Sequence, residues 1–176
     1  LRDIEFVNNM VGFWAGDNGT IIKTIDGGDT WVLKTTTATR TISSIQFPST
    51  NVGYAVQTGY NWEFLKTTDG GDTWTKTSIA PISNLSSLEA VYFTDTSKGF
   101  IGGWYLSAFV TTQDGGNTWS NVSTSISPQV YDIYFPSPAI GYMVGWYGEI
   151  YHSIDSGTTW TAQQSGYTNS LRTIYS

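Results

Sequence analysis

A short pattern that occurs four times constrains the fold of this chain more than any other feature of its sequence. The pattern is Ser/Thr-x-Asp-x-Gly-x-Thr-Trp, and it occupies residues 24–31, 67–74, 112–119 and 153–160. The tryptophans that close the pattern, at positions 31, 74, 119 and 160, are 43, 45 and 41 residues apart. This spacing suits a unit of four short strands joined by tight turns. The sequence therefore predicts tandem repeats.

Each repeat contains four strand-like segments, which in the first repeat are residues 1–6, 12–16, 20–25 and 31–36. Turn residues separate the first segment from the second in every repeat, and a glycine opens the second segment. The first segment returns in each later repeat and once more near the end of the chain, at residues 42–47, 88–93, 130–135 and 171–176.

Four-stranded units repeated in tandem describe an all-β protein in which each unit stacks on its neighbours. We predict a β-propeller segment of four four-stranded antiparallel blades plus one extra strand. The chain forms a single propeller or propeller segment over residues 1–176 in this prediction. The expected blades are about 1–40, 41–84, 85–126 and 127–168, and strand 171–176 opens a fifth unit.

Composition excludes several function classes. With no cysteine and one histidine, we expect neither a zinc site nor a metal cluster, and no motif points to a cofactor. The net charge of -6 argues against a nucleic-acid partner. No run of residues approaches the roughly 18 apolar residues of a membrane-spanning helix, so we expect no membrane insertion.

The repeated pattern resembles the Asp-box, or bacterial neuraminidase repeat, and residues 12–31 resemble the blades of photosystem II assembly-factor-type propellers. The resemblance covers essentially the whole chain. It implies the propeller fold, with the boxes on the face opposite the usual ligand site. Similar blades occur in sialidases, xyloglucanases, sortilin-type receptors and secreted bacterial repeat proteins, so the resemblance alone does not choose a function.

We interpret the residues of the box as structural. Its aspartate can accept hydrogen bonds from backbone amides of its own turn, its glycine can adopt positive φ, and its tryptophan can cover the junction between blades. A catalytic or metal site repeated in every blade has no chemical logic. The structural residues of the boxes are Asp26, Gly28, Trp31, Asp69, Gly71, Trp74, Asp114, Gly116, Trp119, Asp155, Gly157 and Trp160.

The turns between the second and third strands carry the most informative side chains. In the first repeat this turn is the polar segment 16–19, whereas each later repeat places two large rings there. Exposed rings can stack on a sugar or anchor a protein partner, and they can instead pack between blades. We take these rings as a candidate binding surface for a protein or a glycan: Tyr60, Trp62, Trp104, Tyr105, Trp146 and Tyr147.

From these observations we expect a non-enzymatic binding or structural scaffold. Ser/Thr/Asn/Gly-rich β repeats with only 12% charged residues are common outside the cytoplasm, so the expected location is secreted, cell-surface or periplasmic. Asn18, Asn84 and Asn121 match the sequon for N-glycosylation. Because an open arc of blades leaves apolar faces uncovered, we also expect that the chain is a segment of a longer propeller or that copies associate end to end.

Two alternatives stay open. The first is part of a glycoside hydrolase. Sialidases, which the boxes resemble, bind through an arginine triad, and the arginines here are Arg2, Arg40 and Arg172; a xyloglucanase-like enzyme would need a carboxylate pair, for which Glu63 and Glu149 hold equivalent places. The second is a chaperone like the photosystem assembly factors. Such factors are expected to carry a basic surface patch, whereas the five lysines of this chain are scattered.

Overall fold

The computed structural model describes residues 1–59, 63–79, 82, 87–104, 109–122 and 129–175. These residues form sixteen strands and two short 3-10 turns, Asp17–Gly19 and Trp146–Gly148. In chain order the strands are β1 (Asp3–Phe6), β2 (Gly12–Ala15), β3 (Ile21–Thr24), β4 (Val32–Leu33), β5 (Ile42–Gln46), β6 (Gly53–Gln57), β7 (Glu63–Thr67), β8 (Thr75–Ser78), β9 (Ser87–Phe93), β10 (Gly99–Trp104), β11 (Phe109–Thr112), β12 (Ser120–Asn121), β13 (Val130–Ser137), β14 (Ile140–Gly145), β15 (Ile150–Ser153) and β16 (Thr161–Gln163).

The strands form four antiparallel sheets of four strands each, and within each sheet neighbouring strands are consecutive in sequence. We number these sheets blades 1 to 4. The first strands of consecutive blades, β1, β5, β9 and β13, contact one another and are therefore innermost. The predicted all-β architecture of four four-stranded antiparallel blades is confirmed.

A glycine lies at the first or second position of the second strand of every blade, because a phenylalanine ring at or near the end of the first strand covers it. A Cβ atom built on Gly53 would lie 2.5 Å from the ring of Phe47, and one on Gly141 would lie 2.6 Å from the ring of Phe135. Gly12 and Gly99 are covered in the same way by Phe6 and Phe93. Any side chain at these positions would push the ring out of the blade.

The hydrophobic core of the described residues is divided into three clusters, and each cluster lies between consecutive blades. A ring from the second strand of one blade stacks on the phenylalanine of the next blade: Phe13 on Phe47 at 4.1 Å, Tyr54 on Phe93 at 3.6 Å and Phe100 on Phe135 at 5.1 Å between ring centroids. The box tryptophans Trp74, Trp119 and Trp160 are buried in these clusters. The blades are therefore held together by repeated aromatic contacts.

Residues 171–175 lie against blade 4 without forming a strand. The backbone N–H of Leu171 donates to the carbonyl of Gly145 at 3.0 Å, and the N–H of Ile174 donates to the Asp132 carboxylate at 2.9 Å. The extra strand predicted here is absent from the described residues, because no second strand is present with which this segment could form a ladder. Among those same residues, no helix is long and apolar enough to cross a membrane.

Candidate binding site on the upper face

The upper face is the end of the blades at which their first strands begin. The antiparallel topology brings to this end the turns between second and third strands and the connections between blades. The boxes follow the third strands and lie at the opposite end, which we call the lower face. Trp104, which ends β10, and Trp146 and Tyr147, which follow β14, all lie on the upper face. Tyr60, Trp62 and Tyr105 lie outside the described residues.

Blades 1 and 4 use the same upper-face turn with different side chains. Asn18 has φ 57° and Tyr147 has φ 52°, and each is followed by a glycine with positive φ. Left-handed backbone suits asparagine but is uncommon for a bulky residue such as tyrosine. The turn at Tyr147 therefore holds a strained residue whose ring is 67% exposed. Strain of this kind is a reason to look for a function at the residue.

The aromatic residues on the upper face form a connected row. Trp104 contacts Tyr131 edge-on at 5.6 Å and Trp146 at 5.1 Å, and Trp146 stacks on Tyr147 at 5.3 Å between ring centroids. We call Tyr131, Trp104, Trp146 and Tyr147 the aromatic row. Tyr147 is exposed, whereas Trp104 and Trp146 are half-buried. The aromatic row therefore packs against the blades at one end and reaches the solvent at the other. A stepped apolar surface of this kind can receive flat or apolar groups of a ligand.

Tyr131 was not singled out from the sequence. It is the second residue of β13, and its position in the first repeat is occupied by Arg2 and in the third by Glu89. Its ring joins the row only because the inner strand of blade 4 starts beside the end of β10. The only sequence signal was that a tyrosine replaces charged residues at this repeat position.

Arg172 lies beside the aromatic row, whereas Arg2 forms an ion pair with Asp17 at 3.4 Å. The Arg172 guanidinium is 5.0 Å from the centroid of the Tyr131 ring. Burial raises the pKa of Glu89, while a hydrogen bond from the Ser87 hydroxyl and the charges of Arg2 and Arg172 oppose that rise. Arg172 therefore supplies positive charge next to Tyr131, and its charge also acts on Glu89. The Arg172 guanidinium is a suitable neighbour for a ligand carboxylate.

Two residues of the alternative enzyme hypotheses, Arg40 and Glu63, are engaged elsewhere. Arg40 lies against Gly59 in blade 2, since a Cβ atom on that glycine would overlap its guanidinium. Glu63 forms an ion pair with Lys76 at 3.4 Å. Among the described residues, no group of three or more His, Asp or Glu side chains is arranged to hold a metal ion.

The boxes on the lower face are closed by their own hydrogen bonds. In blade 4 the Asp155 carboxylate accepts bonds from the Thr159 backbone N–H at 2.9 Å, the Thr159 hydroxyl at 2.6 Å and the Ser153 hydroxyl at 2.8 Å. These bonds, with those to Thr159 as the main cause, lower the pKa of Asp155 to about 2. The Asp26, Asp69 and Asp114 carboxylates accept the corresponding bonds in their own boxes. A carboxylate so engaged has little capacity left for a ligand.

The sequon asparagines differ in their surroundings. Asn18 lies in the left-handed turn of blade 1, Asn121 is exposed at the end of β12, and Asn84 lies outside the described residues. Nothing in these positions tests whether a glycan is attached, so glycosylation stays a prediction.

The fold and its lower-face boxes define the class of protein: this is an Asp-box β-propeller. Within that class, the model of the family described as Photosynthesis system II assembly factor YCF48 matches residues 1–79 and 34–175. The chain belongs to this family. No curated protein sequence matches it.

Solved structures show the same fold. YCF48 bound to D1 peptide is 18% identical, with a TM-score of 0.58 over 91% of this chain and 79% of that chain. YCF48 from Cyanidioschyzon merolae is 18% identical, with a TM-score of 0.69 over 93% of this chain and 59% of that one. The GH74 enzyme of Niastella koreensis is 18% identical, with a TM-score of 0.71 over 91% of this chain but only 28% of the enzyme. At these identities the likeness shows the fold alone.

The family match corrects one prediction. The expected secreted, cell-surface or periplasmic location is wrong, because members of this family are photosystem assembly factors of the chloroplast or the cyanobacterial thylakoid lumen. The compositional argument failed because low charge and Ser/Thr/Asn/Gly-rich strands follow from the blade architecture and do not report a compartment.

Proposed function

We propose that this chain is a non-enzymatic assembly factor that binds an extended polypeptide segment of a photosystem II subunit across its upper face. The observation that carries the proposal is the aromatic row with Arg172 beside it. Membership of the assembly-factor family supports a protein partner, and a related propeller has been solved with a D1 peptide. A segment of D1 is therefore the ligand class that we propose for this chain.

The surface favours particular chemistry in the bound segment. The aromatic row supplies apolar area for side chains of a peptide that has not yet been folded into its complex. Arg172 adds positive charge at the Tyr131 end of the row, in a chain whose net charge is -6. We therefore propose a segment that pairs aromatic or aliphatic side chains with a carboxylate.

Glycan binding is the second candidate, because tryptophan and tyrosine rings also stack on sugar faces. The similarity to GH74 enzymes is a similarity of fold alone. Glu63, one of the two carboxylates considered for hydrolysis, forms an ion pair with Lys76. The family match favours the peptide over the glycan. A glycan should therefore compete poorly with a peptide at this surface.

The test measures binding of fluorescently labelled peptides that together cover the D1 sequence, by anisotropy, with scrambled peptides alongside. We expect at least one native peptide to bind, and Trp146→Ala to weaken it about 30-fold, the loss typical of an interface hot spot. Trp14→Ala is the matched control, because Trp14 is a partly exposed tryptophan in β2 of blade 1 and is not part of the aromatic row. Xyloglucan oligosaccharides serve as competitors.

Equal binding of native and scrambled peptides would contradict the proposal, as would equal losses in the Trp146 and Trp14 variants. Displacement of the peptide by oligosaccharide at comparable concentration would favour the glycan instead. Thermal unfolding of both variants separates a lost contact from a lost fold.

A further inference from the structure

One residue position near the end of each inner strand faces the following blade. It lies directly before the phenylalanine that covers the second-strand glycine, and its occupants in blades 1 to 4 are Glu5, Gln46, Tyr92 and Tyr134. In blades 1 to 3 the residue opposite it in the ladder is the second-strand ring that stacks on the next blade. Because opposite residues of an antiparallel pair share one face of the sheet, this position also points at the next blade. We call it the clasp position.

The clasp residues of blades 2 and 3 bond the backbone of the next blade. The Gln46 amide accepts a hydrogen bond from the Phe93 N–H at 3.1 Å and donates one to the Phe93 carbonyl at 3.3 Å. The Tyr92 hydroxyl donates to the Phe135 carbonyl at 3.1 Å. A half-buried backbone group needs such a partner, so each of these side chains ties two blades together.

In blade 1 the clasp position holds a carboxyl group, that of Glu5, and the backbone it faces is that of Phe47. The Phe47 backbone hydrogen-bonds to the Glu5 carboxyl group, and Glu5 is half-buried. A protonated carboxyl group has one carbonyl acceptor and one O–H donor, which is the pattern of the Gln46 amide. An ionised carboxylate only accepts, so it keeps the bond from the N–H but cannot donate to the carbonyl.

The surroundings of Glu5 favour the protonated form. Burial, with the charge of Asp3 as a smaller contribution, raises the pKa of Glu5 to about 7 against the opposing bond from Phe47. The other titratable group that interacts with Glu5 is Tyr92 of β9. Neither β2 nor β5, the strands beside β1, contains a titratable side chain. Within the part of the chain that the structure describes, Glu5 forms no ion pair.

The second carboxyl group at the same junction, that of Asp3, has different partners. It accepts bonds from the backbone N–H groups of Ile4 and Ile45, each at 2.8 Å. Burial raises the pKa of Asp3, and these bonds, together with one from Ser44, oppose that rise. Partners that only donate suit an ionised carboxylate. Asp3 therefore joins the two blades as an acceptor, whereas Glu5 matches the backbone fully only as an acid.

We propose that Glu5 is a proton-dependent clasp between blades 1 and 2. In its protonated form it joins β1 to the Phe47 backbone through two hydrogen bonds, as Gln46 joins blade 2 to Phe93. Loss of the proton to solvent breaks the bond to the Phe47 carbonyl and places a negative charge in a half-buried junction, which loosens the contact between the two blades. The junction of blades 2 and 3 does not respond, because its amide cannot ionise.

The test measures amide hydrogen exchange by NMR at about pH 5.5 and about pH 8, with each rate divided by the intrinsic rate at that pH. The Phe47 N–H reports the junction of blades 1 and 2, and the Phe93 N–H is the matched internal control. We expect protection of Phe47 to fall at least about 10-fold more than that of Phe93 between the two pH values. The carboxyl carbon-13 resonance of Glu5 should titrate over the same pH range as this loss.

Three variants separate the clasp from burial of a charge. Glu5→Gln installs the clasp residue of blade 2, so protection of Phe47 should stay high at both pH values. Glu5→Met removes the charge and both hydrogen bonds, so protection of Phe47 should be low at both. Gln46→Glu transplants the acid to the next junction and should make protection of Phe93 depend on pH. Asp3 titrates in the native chain and in all three variants, so its contribution cancels in the comparison.

The same pH dependence of Phe47 protection in the native chain and in Glu5→Gln overturns the proposal. Equal protection of Phe47 in Glu5→Gln and Glu5→Met also overturns it, because charge alone then explains the effect and the hydrogen bonds contribute nothing. Far-ultraviolet circular dichroism establishes that each variant is folded. If Gln46→Glu unfolds the chain at pH 8, the two Glu5 variants decide between the outcomes, since neither introduces a charge.

Discussion

The box of blade 2 offers the most direct test of the structural role assigned to the repeated pattern, through Asp69→Ala. The Asp69 carboxylate accepts bonds from the hydroxyls of Thr67 at 2.7 Å and Thr73 at 2.6 Å. It also accepts bonds from the backbone N–H groups of Thr73 at 3.0 Å and Asp72 at 3.1 Å. Alanine removes all of these acceptors. Because the turn is exposed, water replaces part of what is lost, so the expected loss of unfolding free energy is about 1–3 kcal/mol.

Urea denaturation followed by tryptophan fluorescence measures this loss. With a slope of about 2 kcal/mol per molar urea, the midpoint should fall by about 0.5–1.5 M. Asp69→Asn should cost less than Asp69→Ala, because an amide keeps one oxygen acceptor and can donate to the Thr73 hydroxyl.

The pH dependence supplies a second check on the same substitution. Hydrogen bonds, chiefly from Thr73, hold the pKa of Asp69 below its ordinary value of 3.8 in the folded protein. Its contribution is therefore present above that value and is lost as the pH falls through the folded pKa. The difference between the native chain and Asp69→Ala should shrink in acid. An unchanged urea midpoint together with lost peptide binding would refute the structural role of the box.

Two other predictions concern single positions. Burial raises the pKa of Glu5 from 4.5 to about 7, so the ionised carboxylate destabilises the folded chain. The contribution of Glu5 to stability is therefore complete below about pH 4.5 and is lost as the pH rises through about 7. Glu5→Gln should therefore raise the melting temperature at pH 8 and change it little at pH 4; an equal shift at both values would contradict this. Tyr147→Asn places in blade 4 the residue that blade 1 uses in the same left-handed turn. It should raise the unfolding free energy by up to about 1 kcal/mol while weakening peptide binding, and a clear loss of stability would show that the ring is part of the core.

Much of the fold could be read from the sequence because its information is local and repeated. The box pattern specifies a turn through contacts between residues two to four positions apart, as in the bonds of Asp155 with Ser153 and Thr159. Glycines that open second strands, such as Gly53, mark positions where a ring must approach the backbone. Local signals that occur four times reinforce one another, so the blades and their order followed directly.

The binding surface could be predicted only in part. Trp146 and Tyr147 were recognisable as large rings in a turn where blade 1 has polar residues. Arg172 was considered only as part of a sialidase-like arginine triad, and Tyr131 was not recognised, because it joins the row through its contact with Trp104 of the preceding blade. Partners that are far apart in sequence are chosen by packing, and no local pattern encodes them.

The sequence by itself determined the repeat, the strands and the hydrogen bonds within each box, since all of these depend on residues that are neighbours along the chain. Tertiary structure alone decided which rings meet, as Trp104 meets Tyr131 and Trp146. It also decided that Phe6 is exposed whereas Phe47, with the same local sequence role, is buried. The physical reason is that burial depends on what stacks against a blade, and a blade's own residues do not specify its neighbour.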